Sequence, residues 1–415
     1  HMCQLAVLKF QQFDGLNTVL PIGTRKINAF RTLTTESLAV FMPFRVQEVT
    51  HRNGIYFANN AISKNMIMVN RGELLNGNSF ITGVSGSGKS ILAKQEIINL
   101  FLSDKDADII IIDPEKEYGK ICDAFGEECI EISATSKHHI NAMDINMNYG
   151  DGQNPVTLKS EFMLSLCEQA VSSLGPKQKS LIDRCTASVL NEYMLGGFSG
   201  KAPTLKDFNE SLKKQPEPEA KDISLALELF TSGSLDTFAN ETNVDTKNRL
   251  ICYDIHDLGR ALMPIGMLVV LDNILNRITA NKAKGRKTYI FIDEIYLLFK
   301  HEYSANFLFT LWKRVRKYGA FITGITQNVE DLLQSHTART MLANSELVVM
   351  LNQAATDREE LASLMGISDL QMGYITNVDA GHGLVKIGGA LVPFVNKVPK
   401  DTKLYALMTT KFSES

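Results

Sequence analysis

NSFITGVSGSGKSILAKQEIINLF, residues 78–101, is the most informative stretch of this chain. A short apolar strand, Ser79–Thr82, leads into the complete pattern G-x-x-x-x-G-K-S at 83–90, and a helical pattern follows at Ile91–Leu102. The glycines let backbone N–H groups curl around a polyphosphate, and the helix N-terminus adds its positive dipole end. A chance glycine-rich turn explains this stretch poorly, because every fixed position is filled and both flanks fit. The sequence therefore predicts a nucleoside triphosphate site.

Two side chains of this loop have expected chemical roles. Lys89 can reach the β and γ phosphates, and the Ser90 hydroxyl is suited to Mg²⁺. The predicted nucleotide-binding set is Gly83, Val84, Ser85, Gly86, Ser87, Gly88, Lys89, Ser90 and Ile91.

A second apolar strand, Thr288–Ile292, ends in the acidic pair Asp293-Glu294. By itself such a pair is most often a solvated strand end. Downstream of a phosphate loop it predicts a metal-side carboxylate, Asp293, and a base, Glu294, that polarises the attacking water. A second acid next to the first favours ATP hydrolysis over phosphoryl transfer to another substrate.

Two further polar positions are candidates for the same chemistry. Gln327 follows the strand Phe321–Thr326 and can contact the γ phosphate or the water, although a simple turn residue is the alternative. Arg316 belongs to a cationic helix end that also suits the helix dipole, and an arginine is the usual group for neutralising phosphate charge across a subunit boundary. We predict Arg316 for that role, with Arg314 second. Asp113, Glu115 and Glu117 follow the strand Asp108–Ile112 and are equally well explained as a site or as a solvated turn.

Apolar runs and helical patterns alternate along most of the chain, which predicts a doubly wound α/β fold with a mainly parallel sheet. The other expected strands are Leu250–Asp254 and Leu347–Leu351, with a hairpin at Gly54–Phe57 and Met66–Val69. Residues 151–245 contain only helical patterns, so we expect an inserted all-α subdomain there. The predicted organisation is a connecting segment at 1–75 with a short helix at Ser37–Phe41, an ATPase domain at 76–150 and 246–415, and the insertion between its two parts.

Composition narrows the class of protein. The 415 residues exceed one average domain, and 44% apolar with 21% charged residues excludes wholesale disorder. With 43 basic and 46 acidic residues the net charge is −3, which excludes a globally basic nucleic-acid binder. Six scattered cysteines indicate a reducing compartment, and the short apolar runs predict no transmembrane helix. His1-Met2 resembles a vector-derived start, so we expect a longer natural protein.

The ordered motifs resemble the conjugation and type IV secretion ATPases, that is, the fourth VirB component and its TraC-like relatives in the HerA–FtsK superfamily. The matching segments are TTESLAVFMPF (34–44), GIYFANNAISKNMIMVNR (54–71), the phosphate loop, IIIIDPEKEYGKI (109–121), YIFIDEIYLLF (289–299), KRVRKYGAFITGITQNVEDLL (313–333) and DAGHGLVKIGG (379–389).

This resemblance implies a RecA-like P-loop NTPase whose sensor strand lies between the phosphate-loop strand and the Walker B strand. It implies ATP and Mg²⁺ as ligands, Ser90 and Asp293 at the metal, and Glu294, Lys89, Gln327 and Arg316 in catalysis. It also implies a missing N-terminal domain, a hexamer in the full complex, other secretion components as partners, and a location at the cytoplasmic face of the bacterial membrane. Whether this stretch alone is a monomer stays open.

Three functions remain in competition at this point. The first is a motor that energises channel assembly and substrate transfer in conjugation. The second is a DNA-pumping motor of the same superfamily, with DNA contacts from cations such as Arg184, Lys213 and Lys214, which fit solvated helix faces better. The third is a nucleotide-gated scaffold with negligible turnover, and Glu294 argues against it because a scaffold needs no base.

Overall fold

The computed structural model describes residues 6–28, 32–39, 46–133, 135–146, 149, 154–171, 173–244, 248–300 and 302–410. Two compact units are present, residues 1–46 and 47–415. The first contains helices α1 (Gln12–Val19) and α2 (Thr35–Ala39). The predicted helix Ser37–Phe41 therefore exists in part, and Phe41 lies outside the described residues.

The second unit contains all of the strands in the described residues. These are β1 Ile55–Asn60, β2 Met66–Val69, β3 Ser79–Thr82, β4 Asp108–Asp113, β5 Glu128–Glu131, β6 Leu250–Asp254, β7 Thr288–Ile292, β8 Ala320–Thr326, β9 Leu347–Met350, β10 His382–Ile387 and β11 Ala390–Val395. Its helices are α3 Lys89–Ser103, α4 Gly119–Phe125, α5 Pro155–Val171, α6 Pro176–Leu195, α7 Leu205–Lys213, α8 Pro218–Thr231, α9 Gly259–Ala283, α10 Glu302–Arg314, α11 Val329–Gln334, α12 His336–Asn344, α13 Ala355–Met365, α14 Asp369–Met372 and α15 Lys403–Met408.

The strands form one sheet in the order β2-β1-β11-β10-β9-β3-β8-β7-β4-β6-β5. From β9 to β5 every neighbouring pair is parallel, whereas β2, β1, β11, β10 and β9 pair antiparallel. The predicted α/β fold with a mainly parallel sheet is confirmed. The sensor strand β8 lies between β3 and β7, as the resemblance implied.

Successive side chains of the central strands are buried on opposite faces of the sheet. Ile110 and Ile112 pack with α5–α10, while Ile109 and Ile111 pack on the face that carries α3 and α4. All four isoleucines are fully buried. Continuous apolar runs such as IIII at 109–112 therefore form strands that are covered on both sides.

Helices α5–α8 lie within residues 151–245, where the described part contains no strand, and they pack against the helices that cover the sheet. Lys159 of α5 pairs with Asp272 of α9 at 2.5 Å, and both side chains are almost fully buried. Phe162 packs edge-on against Phe307 of α10 at 5.8 Å between ring centroids. The insertion thus shares one hydrophobic core with the sheet.

The N-terminal boundary differs from the expected connecting segment 1–75. Residues 47–75 belong to the larger unit, because β1 pairs with both β2 and β11 and so extends the main sheet. A hairpin was expected there, but sequence alone does not reveal a partner strand more than 300 residues away.

One helix passes a length and composition test for spanning a membrane, contrary to the expectation from the apolar runs. It is Leu262–Ala283 within α9, and 72% of its most apolar window is buried inside the protein. Its side chains lie in the core between the sheet and the insertion. The five cysteines among the described residues are all free.

Candidate active site

The phosphate loop follows β3 at the carboxyl edge of the parallel strands. Gly83, Gly86 and Gly88 all have positive φ, at 155°, 75° and 106°. A Cβ at Gly83 would lie 2.7 Å from the Ser87 hydroxyl and 2.9 Å from Leu351 Cβ. The loop therefore needs glycine at 83 for close packing and at 86 and 88 for backbone conformation.

Lys89 begins α3 and folds back over the loop. Its Nζ donates to the carbonyl oxygens of Gly83, at 2.7 Å, and Val84, at 3.0 Å. Burial lowers the pKa of Lys89, and the carboxylates of Glu294 and Asp293 act in the opposite direction. The ammonium group is thus held inside the loop and faces the two acids that end β7.

Two distant segments brace the loop. Val84 N donates to the Asn352 carbonyl at 2.8 Å, just beyond β9. Gly381 N donates to the Ser87 carbonyl at 2.9 Å, from the turn before β10. Gln353 reinforces the first contact, because its Nε2 donates to Thr82 Oγ1 at 3.2 Å. The local sequence patterns do not predict these contacts.

Asp293 and Glu294 lie next to the loop, as the sequence predicted. Burial raises the pKa of Asp293 well above its usual range, and the neighbouring Glu294 carboxylate adds to the effect. Burial also raises the pKa of Glu294 to about 7, and Lys89 counteracts part of this rise. Glu294 has φ 47°, ψ 43°, which is a left-handed conformation that is uncommon for a side chain of this size.

Gln327 is brought to this pair by the strand order, since β8 lies directly beside β7. A side-chain hydrogen bond from Gln327 lowers the pKa of Glu294. Glu294 nevertheless keeps one buried carboxylate oxygen, Oε2, without a hydrogen-bond partner. No group among the described residues donates a hydrogen bond to that oxygen.

The acidic turn after β4 supports the site through its backbone. Asp113 is fully buried and accepts N–H groups of Glu115, at 3.2 Å, Glu117, at 3.2 Å, and Tyr118, at 3.0 Å. The Tyr118 hydroxyl in turn donates to Asp293 Oδ2 at 3.4 Å. Asp113 is therefore a turn-forming residue, and Glu115 and Glu117 add negative charge that raises the pKa of Glu294.

Arg316 is not brought to this site. It is exposed in a short 3₁₀ turn, Val315–Tyr318, that precedes β8, whereas Gln327 follows β8. Seven residues of strand separate the two ends, which is about 20 Å. Arg314 also precedes β8. Neither arginine can reach the phosphate loop of its own chain.

The residues present fit a magnesium–nucleotide complex. Ser87 Oγ is buried without a hydrogen-bond partner inside the loop, and so is Oε2 of Glu294 beside it. The Lys89 ammonium group donates to two backbone carbonyls of the loop, and a bound phosphate would draw it away from them. Unpaired buried polar atoms are rare in folded proteins, so their concentration around one loop indicates a polar ligand.

Comparison with known families identifies two overlapping matches. Residues 67–259 match the model "Helicase HerA, central domain", and residues 205–385 match the model "TraG P-loop domain". A search of curated protein sequences found no significant match.

Solved structures share the fold. VirB4 of Thermoanaerobacter pseudethanolicus is 22% identical with a TM-score of 0.75, and the match covers 85% of this chain and 99% of that one. The plasmid coupling protein TrwB in complex with the ATP analogue ADPNP is 18% identical with a TM-score of 0.55, covering 89% and 95%. TrwB in complex with ADP and Mg²⁺ is 17% identical with a TM-score of 0.52, covering 79% and 87%.

The phosphate loop, the acidic end of β7 and the intervening strand β8 lie together in one sheet, as in a RecA-like P-loop fold. The two family models match overlapping parts of this chain, and the chain shares the RecA-like P-loop fold of VirB4 and TrwB.

Proposed function

We propose that this chain hydrolyses ATP with Mg²⁺ and that turnover energises a conjugation or type IV secretion channel. The observation that carries the proposal is the convergence of Lys89 and Glu294, whose charges interact at the phosphate loop. A cation for the phosphates and a base for water are the two groups that hydrolysis requires from the protein. The family match supports the secretion context.

Each side chain has a distinct task in this proposal. The loop amides and Lys89 bind and orient the phosphates, and Ser90 with Asp293 would hold the metal. Magnesium, when bound, supplies positive charge that offsets the phosphate oxygens. Glu294 accepts a proton from the attacking water, and Gln327 orients that water by its contact with Glu294. Asp113 and Tyr118 fix the position of Asp293.

The assembly is part of the same proposal. Arg316 is exposed far from its own loop, which suits an arginine that completes a neighbouring subunit's site in a hexamer. Other secretion components and the cytoplasmic face of the membrane are the proposed surroundings. DNA contact through the helical insertion is less well supported, because Arg184 pairs with Glu217 at 2.8 Å and Lys213 with Glu210 at 2.7 Å.

The test is steady-state ATP hydrolysis with two variants. Glu294→Gln should bind ATP and lose about 10²–10⁴-fold in kcat, because the base is absent. Lys89→Ala should lose ATP binding, because the phosphate-facing cation is absent. Glu228→Gln and Lys221→Ala are matched controls on the exposed face of α8. Near-normal turnover of Glu294→Gln would exclude Glu294 as the base, and ATP binding without any wild-type turnover would favour the scaffold function.

A further inference from the structure

A cavity of about 670 Å³ opens beside the phosphate loop. The loop and the start of α3 line one wall with Gly86, Gly88 and Ile91. The other wall is the segment after β11, with Asn396, Val398, Pro399, Tyr405 and both lysines, Lys397 and Lys400, and the floor is the turn 379–381. Neither the motifs nor the proposed hydrolysis assigns a role to it.

Its position follows from the direction of a bound triphosphate. Lys89 interacts with the acids that end β7 and would bind the β and γ phosphates of a nucleotide, so we expect the α phosphate toward the other end of the loop. The cavity begins at that other end, where Gly88 and Ile91 enter α3. A nucleoside attached to the α phosphate must leave the loop there, and the volume lies within the range of small-molecule pockets.

Asn396 gives the cavity a specific polar group. The residue is 7% exposed, and its side-chain Nδ2 is buried without a hydrogen-bond partner. Its backbone is fixed, because Asn396 N donates to the Gly381 carbonyl at 2.7 Å and Gly381 N donates to Ser87. A buried amide group without a partner is unfavourable, and a ligand that carries an acceptor would remove that penalty.

The segment that forms this wall is anchored to the loop helix. Lys94 of α3 is almost fully buried, and its Nζ donates to the Met408 carbonyl at the end of α15 at 3.3 Å. Tyr405 and Met408 are both buried. The apolar wall therefore exists before any ligand binds, which lowers the entropic cost of binding.

We propose that this cavity binds the purine base of the nucleotide, with Asn396 donating a hydrogen bond to an acceptor nitrogen of the base and with Ile91, Val398 and Tyr405 enclosing the ring. This assignment rests on the proposed nucleotide site. It makes the C-terminal segment a determinant of nucleotide selectivity in this chain.

The experiment compares binding of ATP with binding of inorganic tripolyphosphate, which carries the phosphates without a base. Wild type should bind ATP more tightly than tripolyphosphate. Asn396→Ala should reduce this ATP preference about tenfold while leaving tripolyphosphate binding unchanged. The same variant should not lower the melting temperature of the free protein, because the Nδ2 group that it removes has no partner among the described residues.

Val398→Trp is a second, independent variant that fills the cavity, and it should also weaken ATP without affecting tripolyphosphate. Asn276→Ala, a remote asparagine on α9, is the matched control. An unchanged ATP preference in both Asn396→Ala and Val398→Trp would overturn the base site while leaving the phosphate site intact. Failure of wild type to bind either ligand would overturn the proposed function and the base site together.

Discussion

Glu294 combines three unusual features in one residue. Its backbone is in the left-handed region, one carboxylate oxygen is buried without a partner, and burial raises its pKa to about 7. Left-handed backbone at a non-glycine residue costs about 1–3 kcal/mol and persists where the surrounding structure enforces it. The site thus holds a carboxylate that is protonated just below neutral pH and free to accept a proton just above it.

Activity should follow this ionisation. We expect kcat/KM for ATP to rise through about pH 7, because the free enzyme needs Glu294 deprotonated to act as a base. The measurement is kcat/KM between pH 5.5 and 8.5 at constant ionic strength, with Glu228→Gln as the control. A profile that stays flat over this interval would contradict the assignment of Glu294 as the base.

The Glu294 contribution to the free energy of unfolding should fall as pH rises, whereas kcat/KM rises. A raised pKa means that the folded protein keeps the proton while the unfolded chain releases it near 4.5, so the Glu294 contribution falls as pH rises from about 4.5 to 7. Glu294→Gln should therefore raise the melting temperature relative to wild type at pH 8, by about 2 °C, and by less at pH 5. Differential scanning calorimetry at both values measures the two differences. Equal differences at pH 5 and pH 8 would show that the pKa is not raised.

Some of the elements that form the candidate site can be predicted from the sequence, and others cannot. The strand ends that precede Asp293 and Gln327 were predictable, because each lies within a local pattern of apolar residues followed by polar ones, and Lys89 was predictable from the glycine-rich loop pattern. The bracing by Asn352 and Gly381 was not, because it joins the loop to residues about 270 and 300 positions later and no local pattern encodes such pairing. Asn396 escaped detection for the same reason. The roles assigned to the site residues stay predictions.

The helical insertion depends on one buried ion pair. Lys159 of α5 meets Asp272 of α9, and Asp272 also accepts a hydrogen bond from the Tyr149 hydroxyl. Removing one partner leaves an uncompensated buried charge, so Lys159→Met should destabilise the fold by about 3–5 kcal/mol. Lys159→Met combined with Asp272→Leu should recover most of that loss, as seen by urea unfolding. Additive losses in the double variant would contradict the pairing.

At the scale of the whole molecule, the two ends of β8 lie at opposite edges of the sheet and carry different candidate site residues. Gln327 lies at the phosphate loop, and Arg316 lies at the opposite edge of the sheet, exposed to solvent. A single chain therefore brings together the loop, the acids and the sensor but leaves this arginine without a function in its own site. A catalytic role for Arg316 would therefore require a neighbouring copy of the chain.

Assembly should then control turnover. We expect the specific ATPase activity of wild type to rise with protein concentration, and Arg316→Ala to match wild type at the lowest concentration while failing to rise. Arg184→Ala, an exposed arginine of the insertion, is the matched control. Activity and mass by light scattering are measured over the same dilution series. A defect of Arg316→Ala that is equal at every concentration would contradict a role across subunits.

The strand order also determines when this site can form during synthesis. The two neighbours of β3 in the sheet, β8 and β9, are translated about 240 residues or more after it. Until then both edges of the phosphate-loop strand are unpaired, and such edges invite association with other chains. The nascent chain therefore exposes an apolar strand with two unpaired edges over that interval of synthesis, and we expect chaperones that shield this strand to raise the yield of folded protein.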